Sequence, residues 1–123
     1  MHVTALATRG IRLTFDPGLG LIEGFVVADG SARIAPLHRA AWVGGGWVLP
    51  MGLAPHLYCL GGNFFCAPFG QASQGAPMHG WPANTRWNIW DKASDHLSAQ
   101  LVKTVSGAHL TNHLWLRPDH PFV

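Results

Sequence analysis

The chain has 123 residues, 48% of them hydrophobic and only 11% charged, with eight Lys and Arg against six Asp and Glu for a formal net charge of +2. That length holds one domain with one core and excludes a two-domain enzyme. The basic residues never cluster and no apolar run approaches the roughly 18 residues of a membrane span, so nucleic-acid and membrane partners are excluded as expectations. The amino end also lacks a basic segment followed by a sustained apolar run, and a cytoplasmic protein is expected. Cys59 and Cys66 are too few for a disulfide framework and are read as buried free thiols.

In chain order, Ile11, Leu13 and Phe15 alternate with Arg12 and Thr14, the period of a half-buried strand, which Asp16-Pro17-Gly18 ends. Leu19 to Ala28 is rich in Val, Ile and Phe and closes on Asp29-Gly30, a turn dipeptide for antiparallel strands, with Ala32 to Leu37 as the return strand. Glu23, the only glutamate, is expected to face solvent from that strand. After Trp42 the glycines at 44–46, Pro50, Gly52 and Pro55 break any periodicity, while Trp47, Leu49, Leu53, Leu57 and Tyr58 keep the segment packed. Trp42, Trp47 and Trp90 are read as core.

From Gly61 to Trp90 glycine, proline and aromatic residues alternate so densely that neither helix nor regular central strand is expected. Phe64, Phe65, Phe69, Trp81, Trp87 and Trp90 supply too much apolar area for a disordered linker, so this is a packed loop with His79 at its centre. Further on, Leu97, Ala99 and Leu101 lie on one strand face, Ser106-Gly107 turns the chain, and Leu110, Leu114 and Leu116 lie on one face of the next strand. Phe122-Val123 is read as the opening of another strand, whose unpaired edge would favour self-association. No segment carries a helical stripe. The fold class is all-β, an antiparallel β-sandwich.

Three groups in the loop form a pattern: Gly61-Gly62, then Cys66-Ala67-Pro68-Phe69-Gly70, then Pro77-Met78-His79-Gly80-Trp81. They resemble the signature of the aldose 1-epimerase (galactose mutarotase-like) superfamily, nearest to its bacterial glucose-6-phosphate 1-epimerase-like branch. The segment from Ile34 to Trp42 resembles the early part of such proteins. The resemblance implies that residues 1–123 form the amino-terminal portion of a longer supersandwich domain that interconverts sugar anomers. It also implies that the family's second histidine and general-base glutamate lie outside this chain.

Anomer interconversion needs a proton delivered to the ring oxygen and one taken from the C1 hydroxyl, and histidine suits such transfers because its ordinary pKa is ~6.5. By resemblance His79 is the catalytic acid. Trp81, two residues on, is the candidate to stack on a sugar face, with Phe69 and Trp87 behind it. Asn63, Gln71, Asn84 and Arg86 are the polar groups of the same loop that could bind sugar hydroxyls. Two departures bear on substrate: Gln71-Ala72 stands where the mutarotase branch carries Asn-Arg, and Pro82-Ala83-Asn84 where the hexose-phosphate branch carries an arginine, for which Arg86 is the stand-in. The expected partner is therefore a monosaccharide or a sugar phosphate, with no cofactor. His56, Cys59, Cys66 and His79 are zinc-type residues, but the cysteine spacing matches no common knuckle and no metal is expected. His109 and His113, ~13 Å apart along a strand, cannot share an ion and would line a groove. The rival readings are a non-catalytic carbohydrate-binding β-sandwich, which would not need His79, and an assembly domain whose apolar surface binds protein.

Overall fold

The computed structural model describes residues 2–122. Period-2 alternation and tight turns build a first antiparallel sheet from β1 (Thr4–Thr8), β2 (Ile11–Asp16), β3 (Leu21–Asp29) and β4 (Ala32–Ile34), each paired with the next. The short β5 (Asn63–Phe64) adds to β3 with Phe64 opposite Leu21, which brings the glycine-rich loop back onto the sheet. As expected from the alternation, β2 buries Ile11, Leu13 and Phe15 and exposes Arg12. The Asp29-Gly30 turn closes the next hairpin with Asp29 opposite Ala32. Its return strand stops at Ile34, short of Leu37, because Pro36 has no N–H to continue the ladder.

A second antiparallel sheet runs β6 (Trp87–Lys92), β7 (His96–Leu101), β8 (Thr111–Trp115) in spatial order. Leu97, Ala99 and Leu101 of β7 are buried, as are Asn112 and Leu114 of β8. Ser106 and Gly107 both take positive φ, 50° and 81°, in a turn closed by reciprocal bonds between Val105 and Ala108. Leu6, Leu13, Phe15, Ile22 and Phe25 from the first sheet share one cluster with Trp87, Leu97, Leu101 and Leu114 from the second. The chain is thus all-β, two antiparallel sheets packed over a single core. Two short 3₁₀ turns, Pro55–Cys59 and Trp81–Ala83, are its helical parts among the described residues.

Trp87 is the joint between sandwich and loop. Its indole Nε1 donates to the Pro82 carbonyl at 2.9 Å, and its backbone N–H donates to the Pro17 carbonyl at 2.7 Å. Gly20, at φ 62°, lies against the pyrrole side of the ring, where a Cβ would overlap the indole. Only glycine satisfies both the left-handed backbone and the close approach.

Several expectations are corrected. Strands β1 and β6 were hidden, the first in small alternating residues and the second in what reads as the end of the loop. Trp47 and Trp90 are 68% and 63% exposed rather than core, Trp90 because alternation from buried Trp87 and half-buried Ile89 places it with Asn88 on the outer face. Cys66 is exposed and Cys59 half-buried, both free. Phe122 belongs to no strand, and Val123 lies outside the described residues.

Among the described residues the interior also contains one polar fault. Asn112 is buried beside Ala99 in the β7–β8 ladder, and its Nδ2 has no hydrogen-bond partner. An unsatisfied buried donor costs about 1–3 kcal/mol. Asn112→Val, which also suits a strand, should therefore raise the unfolding free energy by about 1 kcal/mol and with it the urea midpoint, whereas Leu13→Ala should lower stability by about 2–5 kcal/mol. An Asn112→Val midpoint at or below that of the parent would show that the amide is satisfied.

Candidate active site

The loop that carries His79 is shaped by backbone close approach before any side chain acts. Gly62 at φ 63° presses against the Ile22 carbonyl, and its N–H donates to His38 O at 2.8 Å. Gly80 at φ 76° does the same against the Ala67 carbonyl, so that Ala67 and Gly80 form a parallel bridge. Between these anchors Pro77 to Gly80 makes a tight turn, with Gly80 N–H on Pro77 O at 2.8 Å. His79 sits in that turn at φ 65°, uncommon for a non-glycine residue, with its own N–H on Gly70 O at 2.9 Å. Its ring is half-buried.

Asn84 fixes the chemistry of the site. It is buried, and its Nδ2 donates to the Met78 carbonyl at 2.8 Å and the Gly80 carbonyl at 2.7 Å, one on each side of His79. Both amide hydrogens are used, so Oδ1 must be the atom facing His56. It accepts the His56 backbone N–H at 3.2 Å and the His56 ring Nδ1 at 2.8 Å. A carbonyl oxygen cannot donate, so Nδ1 of His56 carries a proton. Burial lowers the His56 pKa; the bond to Asn84 works upward against it, and neighbouring His79 adds a smaller lowering. A neutral His56 with its proton on Nδ1 offers a lone pair at Nε2.

That lone pair meets Nδ1 of His79, with the two rings 4.6 Å apart and nearly edge-on. The bond fixes the tautomer: His79 donates from Nδ1, and its Nε2 is the nitrogen left for chemistry. Phe64 packs 5.2 Å from the His56 ring and 5.3 Å from the His79 ring, shielding the pair from one side. Gly70 flanks the other edge, where a Cβ would lie 3.7 Å from Nε2. A neutral His79 presents an acceptor at Nε2, and a protonated one presents a donor there.

Trp81 follows on the 3₁₀ turn and is half-buried, with Lys103 Nζ 4.0 Å from the centroid of its ring. It borders two grooves, one of about 570 Å³ shared with Pro55, Ser73 and Pro77, the other of about 270 Å³ shared with Pro68, Thr104 and Ser106. The Ser73–Ala76 turn divides them, and Ser106 Oγ donates to Gln74 Oε1 across the second at 3.3 Å. Gln71, exposed, adjoins Gly70 at the free edge of His79. Asn63, also exposed, precedes Phe64 but pairs with Ile22 on β3. Arg86 is exposed, and no contact ties it to His79.

Other candidates separate. Trp87 is spent in the core and Phe69 is 74% exposed. Asn84 is committed to holding the loop and has no hydrogen left for a sugar. Among the described residues no group of three or more His, Cys, Asp or Glu is placed to hold a metal ion. Cys59 lines a different cavity, about 140 Å³, with Asp16, Glu23 and Arg39. Burial chiefly, then Asp16 and Glu23, push its thiol pKa up, against nucleophilic use. Glu23 is half-buried against this cavity and 3.4 Å from Arg39, not simply solvated. His113 bonds Ser98 Oγ at 2.8 Å and meets Trp90 edge-on, on the outer face of the second sheet. His56 and Asn84 as partners of His79 are what sequence reasoning missed. The available signal was an amide in a Gly/Pro loop whose carbonyls, lacking a ladder, need side-chain donors.

No family model, no curated protein and no solved structure matches the chain. No helix among the described residues is long and apolar enough to cross a membrane.

His56 gives this arrangement a pH signature. Its folded pKa is lowered, so between that value and ~6.5 the unfolded chain binds the proton first and stability rises with pH. The contribution is fully present above ~6.5 and is lost as pH falls toward the folded pKa. His56→Gln should flatten this portion of the melting-temperature profile, and NMR should place the His56 midpoint below that of a free imidazole. An equally steep profile in the variant would assign the dependence to another group.

Proposed function

We propose that this chain is an aldose 1-epimerase-like carbohydrate domain in which His79 exchanges a proton with a bound monosaccharide. The observation that supports it most is the Asn84–His56–His79 chain, which fixes both tautomers and leaves His79 Nε2 as the free nitrogen. In the forward direction a protonated His79 gives its Nε2 proton to the ring oxygen of the sugar while the C1 hydroxyl loses its own proton to a base. The C1–O5 bond breaks, the C1–C2 bond rotates, and reclosure from the other face returns the O5 proton to Nε2 while the base gives its proton back to the C1 oxygen. His79 keeps its Nδ1–H on His56 throughout, so the ring does not turn between the two half-reactions. Trp81 offers a face for the apolar side of the sugar, and Gln71 and Asn63 offer amides for its hydroxyls. Arg86 and Lys103 are the nearby cations in sequence and in space for a phosphorylated sugar. The proposed location is cytoplasmic, with no nucleic-acid or membrane partner.

A second reading, a carbohydrate-binding domain without catalysis, is favoured by one observation: among the described residues no carboxylate contacts His79. Asp16 and Glu23 line the separate cavity instead. One positioned acid contributes about 10²–10⁴-fold by itself.

Polarimetry of freshly dissolved α-glucose and α-galactose distinguishes the two. Mutarotation faster than buffer, and abolished in His79→Asn, is expected for the epimerase; binding without acceleration would leave the carbohydrate-binding domain. Trp81→Ala should weaken sugar affinity, read by quenching of tryptophan fluorescence, by about 1–2 kcal/mol. Sugar that produces no quenching and no acceleration would remove both readings.

A further inference from the structure

The cavity of about 140 Å³ that Cys59 lines shares no residue with the His79 site, and its walls include Asp16, Leu21, Glu23, Arg39 and Val43. Asp16 closes β2 opposite Leu21 and is only 3% exposed. Its Oδ1 accepts the Gly18 N–H at 2.8 Å in the turn that ends the strand. One amide occupies one of about four acceptor sites on a carboxylate and leaves its charge in place. Among the described residues Asn112 Nδ2 is the one buried side-chain atom sealed away without a partner. Asp16 Oδ2 has no hydrogen bond either, so it meets open space, and the space that Asp16 lines is this cavity. Arg39 does not answer it. Its Nη2 lies 3.4 Å from Glu23 Oε1, and its backbone is bridged to Gly61. Two carboxylates thus share one guanidinium, and a buried carboxylate without a counter-charge is costly. The Cys59 thiol reports the same imbalance: burial first, then Asp16 and Glu23, push its pKa up, with Arg39 a smaller opposing influence.

We propose that this cavity binds a small organic monocation, a primary ammonium with a short apolar body, whose N–H groups reach Asp16 Oδ2 while its carbons lie against Leu21 and Val43. The ammonium would supply the charge-assisted hydrogen bonds that the buried carboxylate lacks. Size limits the body, because a cavity of roughly 150 Å³ holds one benzene-sized molecule, or about six heavy atoms. A metal ion fits less well. Asp16, Glu23 and Cys59 border the cavity, yet among the described residues no three such groups are placed to hold an ion. An anion would meet two carboxylates.

The test is titration of the ¹⁵N-labelled chain with n-butylammonium and, as the neutral molecule of the same shape, 1-butanol, read at the amides of Gly18 and Gly61. Butylammonium should give saturable shifts with a dissociation constant of about 1 mM or tighter, and 1-butanol should bind at least ~10-fold more weakly. Asp16→Asn keeps an oxygen for the Gly18 N–H and removes the charge, so butylammonium should fall to the level of 1-butanol. Val43→Met fills the cavity from a half-buried wall without touching the turn, and should abolish binding of both. No saturable shift up to about 20 mM butylammonium, well above that constant, would overturn the proposal. So would 1-butanol binding as tightly as butylammonium, or undiminished butylammonium binding in Val43→Met or in a folded Asp16→Asn. Should Asp16→Asn lose its dispersed spectrum, the parent's preference for the cation and its loss in Val43→Met decide the matter.

Discussion

The side-chain amide of Asn84 is the constraint on which the site depends. Its oxygen holds His56 by backbone and ring, and its nitrogen holds the two carbonyls that bracket His79. These bonds replace the ladder that a glycine- and proline-rich segment cannot form. They also settle a chemical question, because an amide with both hydrogens committed can only accept from the imidazole, and the protons on His56 Nδ1 and His79 Nδ1 follow. One residue thus performs a backbone task and an electronic one.

Beneath the loop, the sandwich supplies a rigid floor. Trp87 begins β6 and is packed into the shared core, yet its indole reaches up to the Pro82 carbonyl in the turn between Trp81 and Asn84. Phe64 plays the complementary part from the first sheet, pairing opposite Leu21 while its ring covers both histidines. The two sheets therefore reach the site separately, one through Phe64 and one through Trp87. Gly20 and Gly80 mark where this meeting leaves no room for a Cβ.

The sandwich was legible in the sequence where burial is one-sided. Ile11, Leu13 and Phe15, and later Leu97, Ala99 and Leu101, alternate because one face of each strand packs and the other is wet. β6 escaped because Trp90 puts an apolar side chain on its outer face, which blurs the alternation, and because it follows the loop without a break in composition. That His79 sits inside a packed loop was legible from the glycines, prolines and aromatic residues around it. Its partners were not, because His56 and Asn84 lie far apart along the chain and meet only through the fold, and periodicity says nothing about which amide reaches which ring. Tryptophan misled for a related reason: its size suggests core, but Trp47 sits on a loop with no sheet above it, and its place was decided by chain geometry rather than hydrophobicity.

A turn whose two bracketing carbonyls and whose partner histidine share one side-chain amide has few intermediate states. If the Asn84 amide lets go, the bracket around His79 and the seat of His56 are released together, while the β2–β3 and β7–β8 ladders keep all their bonds. Residues 77–84 thus form a unit able to open by local unfolding at a free energy below that of the whole domain, and amide hydrogen exchange would see it as a separate, less protected block. A ligand that needs His79 and Trp81 in register would bind only the closed form. Its affinity would then include the work of keeping that small unit shut.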